Sequence, residues 1–196
     1  MPVTYTNRKG VTYTLCQGVT KTGKSRYAFV RDPKGKRVVE AIPDGFEISE
    51  SVNGIVSLVK ERPKKLLPEE IAAVEEAVRH HPKTRNYRVN VRSDRIEVYE
   101  SVGPDAEDLL ADLKGLMGLL PKAKEDDLRT ILARDAQFTP VLRFILEDTE
   151  TRVYRAERWC YLGSIDGWLF ITTGPVEQLA RRMIPTLGTE KFFELF

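Results

Sequence analysis

The chain has little of what fixes a reaction or a compartment. Two cysteines, Cys16 and Cys160, stand far apart in 196 residues. That excludes a disulfide framework and suits a reducing cytoplasm. The two histidines, His80 and His81, are adjacent. Neighbouring helix positions point about 100° apart, so the pair offers no i, i+4 metal face. A Ser–His or Cys–His nucleophile would have to use one of these two. Long apolar runs are missing too. The longest, residues 109–120, is broken by Asp112, Lys114 and two glycines and is too short to span a bilayer. Residues 1–10 are polar and basic with no apolar h-region, so no secretory signal is read there. Neither a metal nor a cofactor is expected.

What the chain does have is charge, unevenly placed. The net charge is only +2, yet residues 1–37 hold nine Lys/Arg against one acid, Asp32. Residues 79–95 hold six bases and one acid, whereas residues 96–127 hold nine acids and three bases. Such asymmetry implies an anionic partner or the docking of opposite faces. A hydrophobic content of 41% supplies a core.

The first sixty residues read as strands joined by turns. Strand-prone segments at 3–6, 11–17, 26–31, 36–41, 46–52 and 55–60 alternate with turn sequences. Asp32-Pro33-Lys34-Gly35 suits a type I turn, and Asn53-Gly54 is a strong hairpin signal. Pro68, followed by Glu69 and Glu70, opens a helix striped by Ile71, Val74, Ala77 and Val78. Residues 85–92 alternate cleanly. Tyr87, Val89 and Val91 fall on one face, and Arg88, Asn90 and Arg92 on the other. Gly103-Pro104-Asp105 reads as a boundary. Beyond it come a helix striped by Leu109, Leu113, Leu116 and Leu120 and a second helix at 125–136. Strands follow at 141–147, 151–161 and 167–172, then a helix opened by Pro175 and a last turn capped by Thr189. The expected fold is α+β: an antiparallel, hairpin-rich domain with one helix over 1–101, and an α+β domain with two helices, a three-stranded sheet and a C-terminal helix over 102–196.

Gly18-Val19-Thr20-Lys21-Thr22-Gly23-Lys24-Ser25 fits the pattern G-x-x-x-x-G-K-[ST]. These eight residues resemble the Walker A loop of P-loop nucleotidases. The resemblance implies Lys24 on the terminal phosphates and Ser25 on magnesium. A phosphate loop must open a helix. The residues that follow, Arg26-Tyr27-Ala28-Phe29-Val30, are strand-prone instead, so the segment is expected to be a hairpin tip. Pro104-Asp105 with Asp112-Leu113-Lys114 resembles the P-D…D-x-K signature of restriction-type nucleases, but places the second acid and lysine on a helix instead of a strand. Gly163-Ser164-Ile165-Asp166-Gly167 has its serine one place early for a nucleophile elbow.

No motif therefore commits the chain to a reaction, and the basic surface is the remaining clue. Arg8, Lys9, Lys21, Lys24, Arg26, Lys34, Lys36 and Arg37 fall at or beside turns, and Arg88 and Arg92 line a polar strand face. If the tips share an end they make one positive rim. The expectation is a non-catalytic, cytoplasmic protein contacting DNA or RNA phosphates through these ten residues. Charged turn tips also serve solubility alone. An alternative is an adaptor that meets a protein partner or a second copy through the apolar residues Phe192, Phe193, Leu195 and Phe196. A third reading is nucleotide binding at residues 18–25.

Overall fold

Alternation of β-branched and aromatic residues with turn residues builds six short strands in the first sixty-two positions: β1 (Thr4–Thr6), β2 (Thr12–Val19), β3 (Ser25–Val30), β4 (Arg37–Val38), β5 (Phe46–Glu50) and β6 (Val56–Lys60). β2 is central. At Cys16 it pairs with Ala28 of β3 and with Val38 of β4, so these two strands lie on opposite edges. β1 shares the β4 edge. The Leu15 amide donates to the Val3 carbonyl and the Val39 amide to the Leu15 carbonyl. Because β1 occupies part of that edge, β4 is two residues long where the sequence suggests six. Leu15 and Cys16 are buried at the centre of the sheet. β5 and β6 form the expected hairpin around Asn53-Gly54.

The computed structural model describes residues 1–103, 109–111, 122–161 and 166–194, in two units, Met1–Arg62 and Pro63–Phe196. Leu113, Leu116, Leu120, Pro104, Asp105, Asp112, Lys114, Ser164, Leu195 and Phe196 lie outside the described residues.

The second unit begins with α1 (Pro68–Arg79), followed by β7 (Tyr87–Val91) and β8 (Arg95–Val102). After α2 (Lys122–Asp135) come β9 (Gln137–Asp148), β10 (Val153–Tyr161), β11 (Asp166–Gly174) and α3 (Val176–Met183). β7 to β11 form one antiparallel five-stranded sheet in chain order. The units therefore divide at Arg62/Pro63 and not at 101/102. β8 pairs along β9 from Arg95↔Ile145 to Val102↔Gln137, which ties residues 87–102 into the C-terminal sheet. Val74 and Val78 of α1 and Leu179, Ala180 and Met183 of α3 pack with Ile96, Val98, Leu142, Phe144, Tyr154 and Ala156 of the sheet in one core. A bulge opposite Ala156/Glu157 turns Ile171 into that core.

Glu70 fastens α1 to the β9–β10 turn. Its carboxylate accepts from the Leu67 amide (2.8 Å), from Arg152 Nε (2.7 Å) and Nη2, and from the Tyr154 hydroxyl (2.5 Å). Arg152, at φ 53°, also donates to the Lys65 carbonyl. Burial alone would raise the Glu70 carboxyl, but Arg152, Tyr154 and the Leu67 amide outweigh it and hold it below the usual carboxylate range. Burial and the Glu70 charge push the Tyr154 phenol up.

Replacing Glu70 by Gln leaves the partly exposed Arg152 guanidinium without its counter-charge and is expected to cost about 1–3 kcal/mol in urea unfolding. A carboxyl lowered by folding stabilises above its unfolded range and loses that contribution as pH falls through its folded value. The gap between wild type and Glu70→Gln should therefore narrow below about pH 4.

Candidate functional site

Antiparallel pairing decides where the basic turns go. The β1–β2 turn sits at the Thr12 end of β2, since Thr6 pairs with Thr12. The β2–β3 turn sits at the Val19 end, since Val19 pairs with Ser25. Eight residues at about 3.3 Å each separate these ends by roughly 23 Å.

At the Thr12 end Arg8 is tied into the fold. Asn7 is buried and joins two turns. Its Oδ1 accepts from the Lys9 and Val11 amides (3.0 and 2.9 Å), and its Nδ2 donates to the Gly54 carbonyl (2.6 Å). A side chain at Gly54 would be strained, because φ is +80° and a Cβ would stand 3.1 Å from Asn7 Nδ2, so that the amide would have to give way. Arg8 donates to Glu50 from its amide and its Nε, both at 2.9 Å. The Tyr5 hydroxyl donates to the other Glu50 oxygen at 2.9 Å. Burial would raise the Glu50 carboxyl, but the Arg8 amide, Tyr5 and the Arg8 guanidinium hold it down. The stem of Lys9 lies against Gly54. Arg8 is thus half of an ion pair within the unit.

At the Val19 end the cations are free. Lys21 and Lys24 lie in the turn. Arg26 pairs with Gly18 from the β3 edge, and Arg37 pairs with Gln17 from the β4 edge. Lys36 directly precedes Arg37, and Lys34 is two residues earlier in the Pro33–Lys36 turn. Glycine at 18 leaves bare backbone opposite Arg26. All six residues are exposed, and their side chains make no hydrogen bond or ion pair among the described residues. Six of the eight N-terminal candidates therefore gather at one end of the sheet, while Arg8 and Lys9 stay at the other.

The Walker-like octapeptide is a hairpin turn. Ser25 opens β3, a strand, where a phosphate loop needs a helix N-terminus. The backbone amides such a loop would aim at phosphate are consumed. Gly23 N–H donates to the Thr20 carbonyl (3.0 Å) and Lys24 N–H to Thr20 Oγ1 (3.1 Å). Gln17 Nε2 donates to the Ser25 hydroxyl at 3.1 Å.

Arg88 and Arg92, on the sheet face away from α1, are engaged. The Arg88 guanidinium lies 4.3 Å from the Phe138 ring centroid, and Arg92 Nε stands 3.7 Å from Glu97. Glu97 also accepts from Asn90 (2.9 Å), Arg95 (2.7 Å) and Tyr99 (3.2 Å). Burial opposes its charge, yet Arg95 and Asn90 hold its carboxyl below the usual range. In the same cross-strand row Arg143 donates to Glu157 at 2.6 Å and lies 4.1 Å from the Trp168 ring centroid.

Both histidines stand on the wall of a cavity of about 630 Å³ beside α1 and α3, lined also by Glu69, Glu76, Glu177 and Arg181. The Lys83 amide donates to His81 Nδ1 (3.1 Å), so Nε2 carries the proton and donates to the Leu187 carbonyl (3.2 Å). His80 is exposed beside Glu76. No group of three or more His, Cys, Asp or Glu is arranged to hold a metal among the described residues. Phe192 is core, 4% exposed, and Phe193 is exposed. The Thr189 hydroxyl donates back to the Thr186 carbonyl instead of capping the turn that follows. Cys16 and Cys160 are free thiols. No helix among the described residues is long and apolar enough to cross a membrane.

The two ends of β2 should respond differently to mutation. Glu50→Ala strands the Arg8 guanidinium and the Tyr5 hydroxyl and is expected to destabilise the first unit by about 1–3 kcal/mol in thermal or urea unfolding. Lys24→Ala touches nothing and should stay within about 0.5 kcal/mol of wild type.

No protein-family model, curated protein or solved structure matches the chain.

Proposed function

We propose that the first unit is a non-catalytic nucleic-acid-binding module that grips phosphates with Lys21, Lys24, Arg26, Lys34, Lys36 and Arg37. The observation that carries this reading is their gathering, exposed and without carboxylate partners, at the Val19 end of β2. An unpaired cation can replace the counterions condensed on the nucleic-acid phosphates, and their release is the main source of sequence-independent affinity. At the opposite end Arg8 is ion-paired with Glu50, the Arg88 guanidinium lies over the Phe138 ring, and Arg92 stands beside Glu97. They drop to minor contacts in this reading. Stacking platforms are few here. Tyr27 rests against Phe46, and the Arg31 guanidinium covers Tyr13. That favours contact with the phosphate backbone over readout of bases. A cytoplasmic setting goes with this reading, since both thiols are unpaired.

Fluorescence anisotropy with labelled duplex and single-stranded oligonucleotides tests it. Log affinity should fall linearly with log salt, and each cation replaced by Ala should reduce the slope by about 0.9 on duplex or 0.7 on single strands. Lys21→Glu, Lys24→Glu and Lys36→Glu together should abolish binding at physiological salt on every sequence tried. Lys9→Glu should change it by no more than about twofold, because the ends lie several Debye lengths apart. Absence of binding to both DNA and RNA at low salt would sink the proposal.

A further inference from the structure

The five-stranded sheet of the second unit has two edges, and they are built differently. β7 is five residues long, carries Arg88, and is flanked by Arg85 and Arg92. A short, charged strand is a poor template for another chain. β11, the opposite edge, is nine residues long and pairs only with β10. Between Asp166 and Gly174 it reads Gly-Trp-Leu-Phe-Ile-Thr-Thr, with no charge and no proline. Its bulge lies at Ile171, so residues 166–170 pair regularly with β10 and stay flat. Its outer row of amides and carbonyls has no partner among the described residues. Phe170 is 55% exposed, and Tyr161, opposite Asp166, is 66% exposed.

We infer that β11 pairs antiparallel with β11 of a second copy of this chain, joining two five-stranded sheets across a two-fold axis. A free, uncharged strand edge is satisfied by another strand. Two-fold pairing about Phe170 sets the uncharged stretch 167–173 against itself and places Asp166, the one charged residue of β11, opposite Gly174 of the copy, away from its own counterpart. A different protein would need something to select it, and the stretch 167–173 offers no charged side chain for that purpose. Trp168 and Phe170 project from one face of β11. With the axis near Phe170, that residue meets its own copy and loses its exposure. The pairing is independent of the nucleic-acid reading, because it uses the other unit.

Sedimentation equilibrium of the full chain, without nucleic acid, tests it. The expected mass is twice 22.3 kDa. Phe170→Lys brings like charges together at the axis and should weaken dimerisation at least tenfold with the far-UV circular dichroism unchanged. Hydrogen exchange on the wild type supplies a second readout: amides within 167–173 should become slower to exchange as concentration rises. A wild-type chain that stays at 22.3 kDa at about 100 µM overturns the inference. So does a dimer that survives Phe170→Lys, or one whose formation leaves the 167–173 amides unprotected.

Discussion

Everything in the first unit depends on β2 being hydrogen-bonded along both edges. Thr14, Cys16 and Gln17 each pair with two strands, which leaves the chain no freedom in where its turns go. Antiparallel succession sends alternate turns to opposite ends of the strand. The connection from β3 to β4 must then cross β2 from one edge to the other. That crossing delivers Lys36 and Arg37 to the end already occupied by Lys21, Lys24 and Arg26. A plain meander would have kept these groups apart. The charge cluster is a product of pairing topology, and one backbone ladder creates both the fold and the candidate surface.

The second unit treats its charges in the opposite way. Glu70, Glu97 and Glu157 are each less than 8% exposed, and each is met by an arginine. Burying a lone carboxylate would cost several kcal/mol, so a buried acid is kept only where donors converge on it. The donors come from strands fixed by the sheet register. Asn90, Glu97, Arg143 and Glu157 stand in one cross-strand row. Such pairs fix register and hold α1 in place. The first unit has the reverse arrangement, with one end knotted through Asn7 and Glu50 and the other left unpaired.

Local signals in the sequence were legible because they act over a few residues. Asn53-Gly54 made its hairpin, Pro68 opened α1, the alternation at residues 87–91 became β7, and the α+β class with antiparallel sheets follows from these elements. The strand-prone residues after Ser25 also marked the phosphate-loop imitation as a turn. What the sequence hid is pairing at long range. Nothing in residues 87–102 announces that they join residues 137–174 in one sheet, so the boundary fell forty residues late. Arg152 meets Glu70 across 82 positions, and His81 meets Leu187 across 106. Arg8 and Lys24 look alike in sequence, since both are turn cations. Only the fold shows Glu50 beside one and no partner beside the other.

The free cluster has a consequence for the protein without a ligand. Six like charges at one end of a small sheet repel one another, and none of them is ion-paired among the described residues. The repulsion is tolerable because it is confined. The knotted end lies roughly 23 Å away by strand length, nearly three Debye lengths at physiological ionic strength. Salt then acts with opposite signs on two quantities. It screens the repulsion and favours the folded free protein, and it weakens any complex built on the same six residues. A cluster kept only for solubility would show the first effect without the second. The unpaired end thus has a distinguishing signature even before a particular nucleic acid is chosen, and the carboxylate-bound Arg8 end, subjected to the same salt, should contribute to neither.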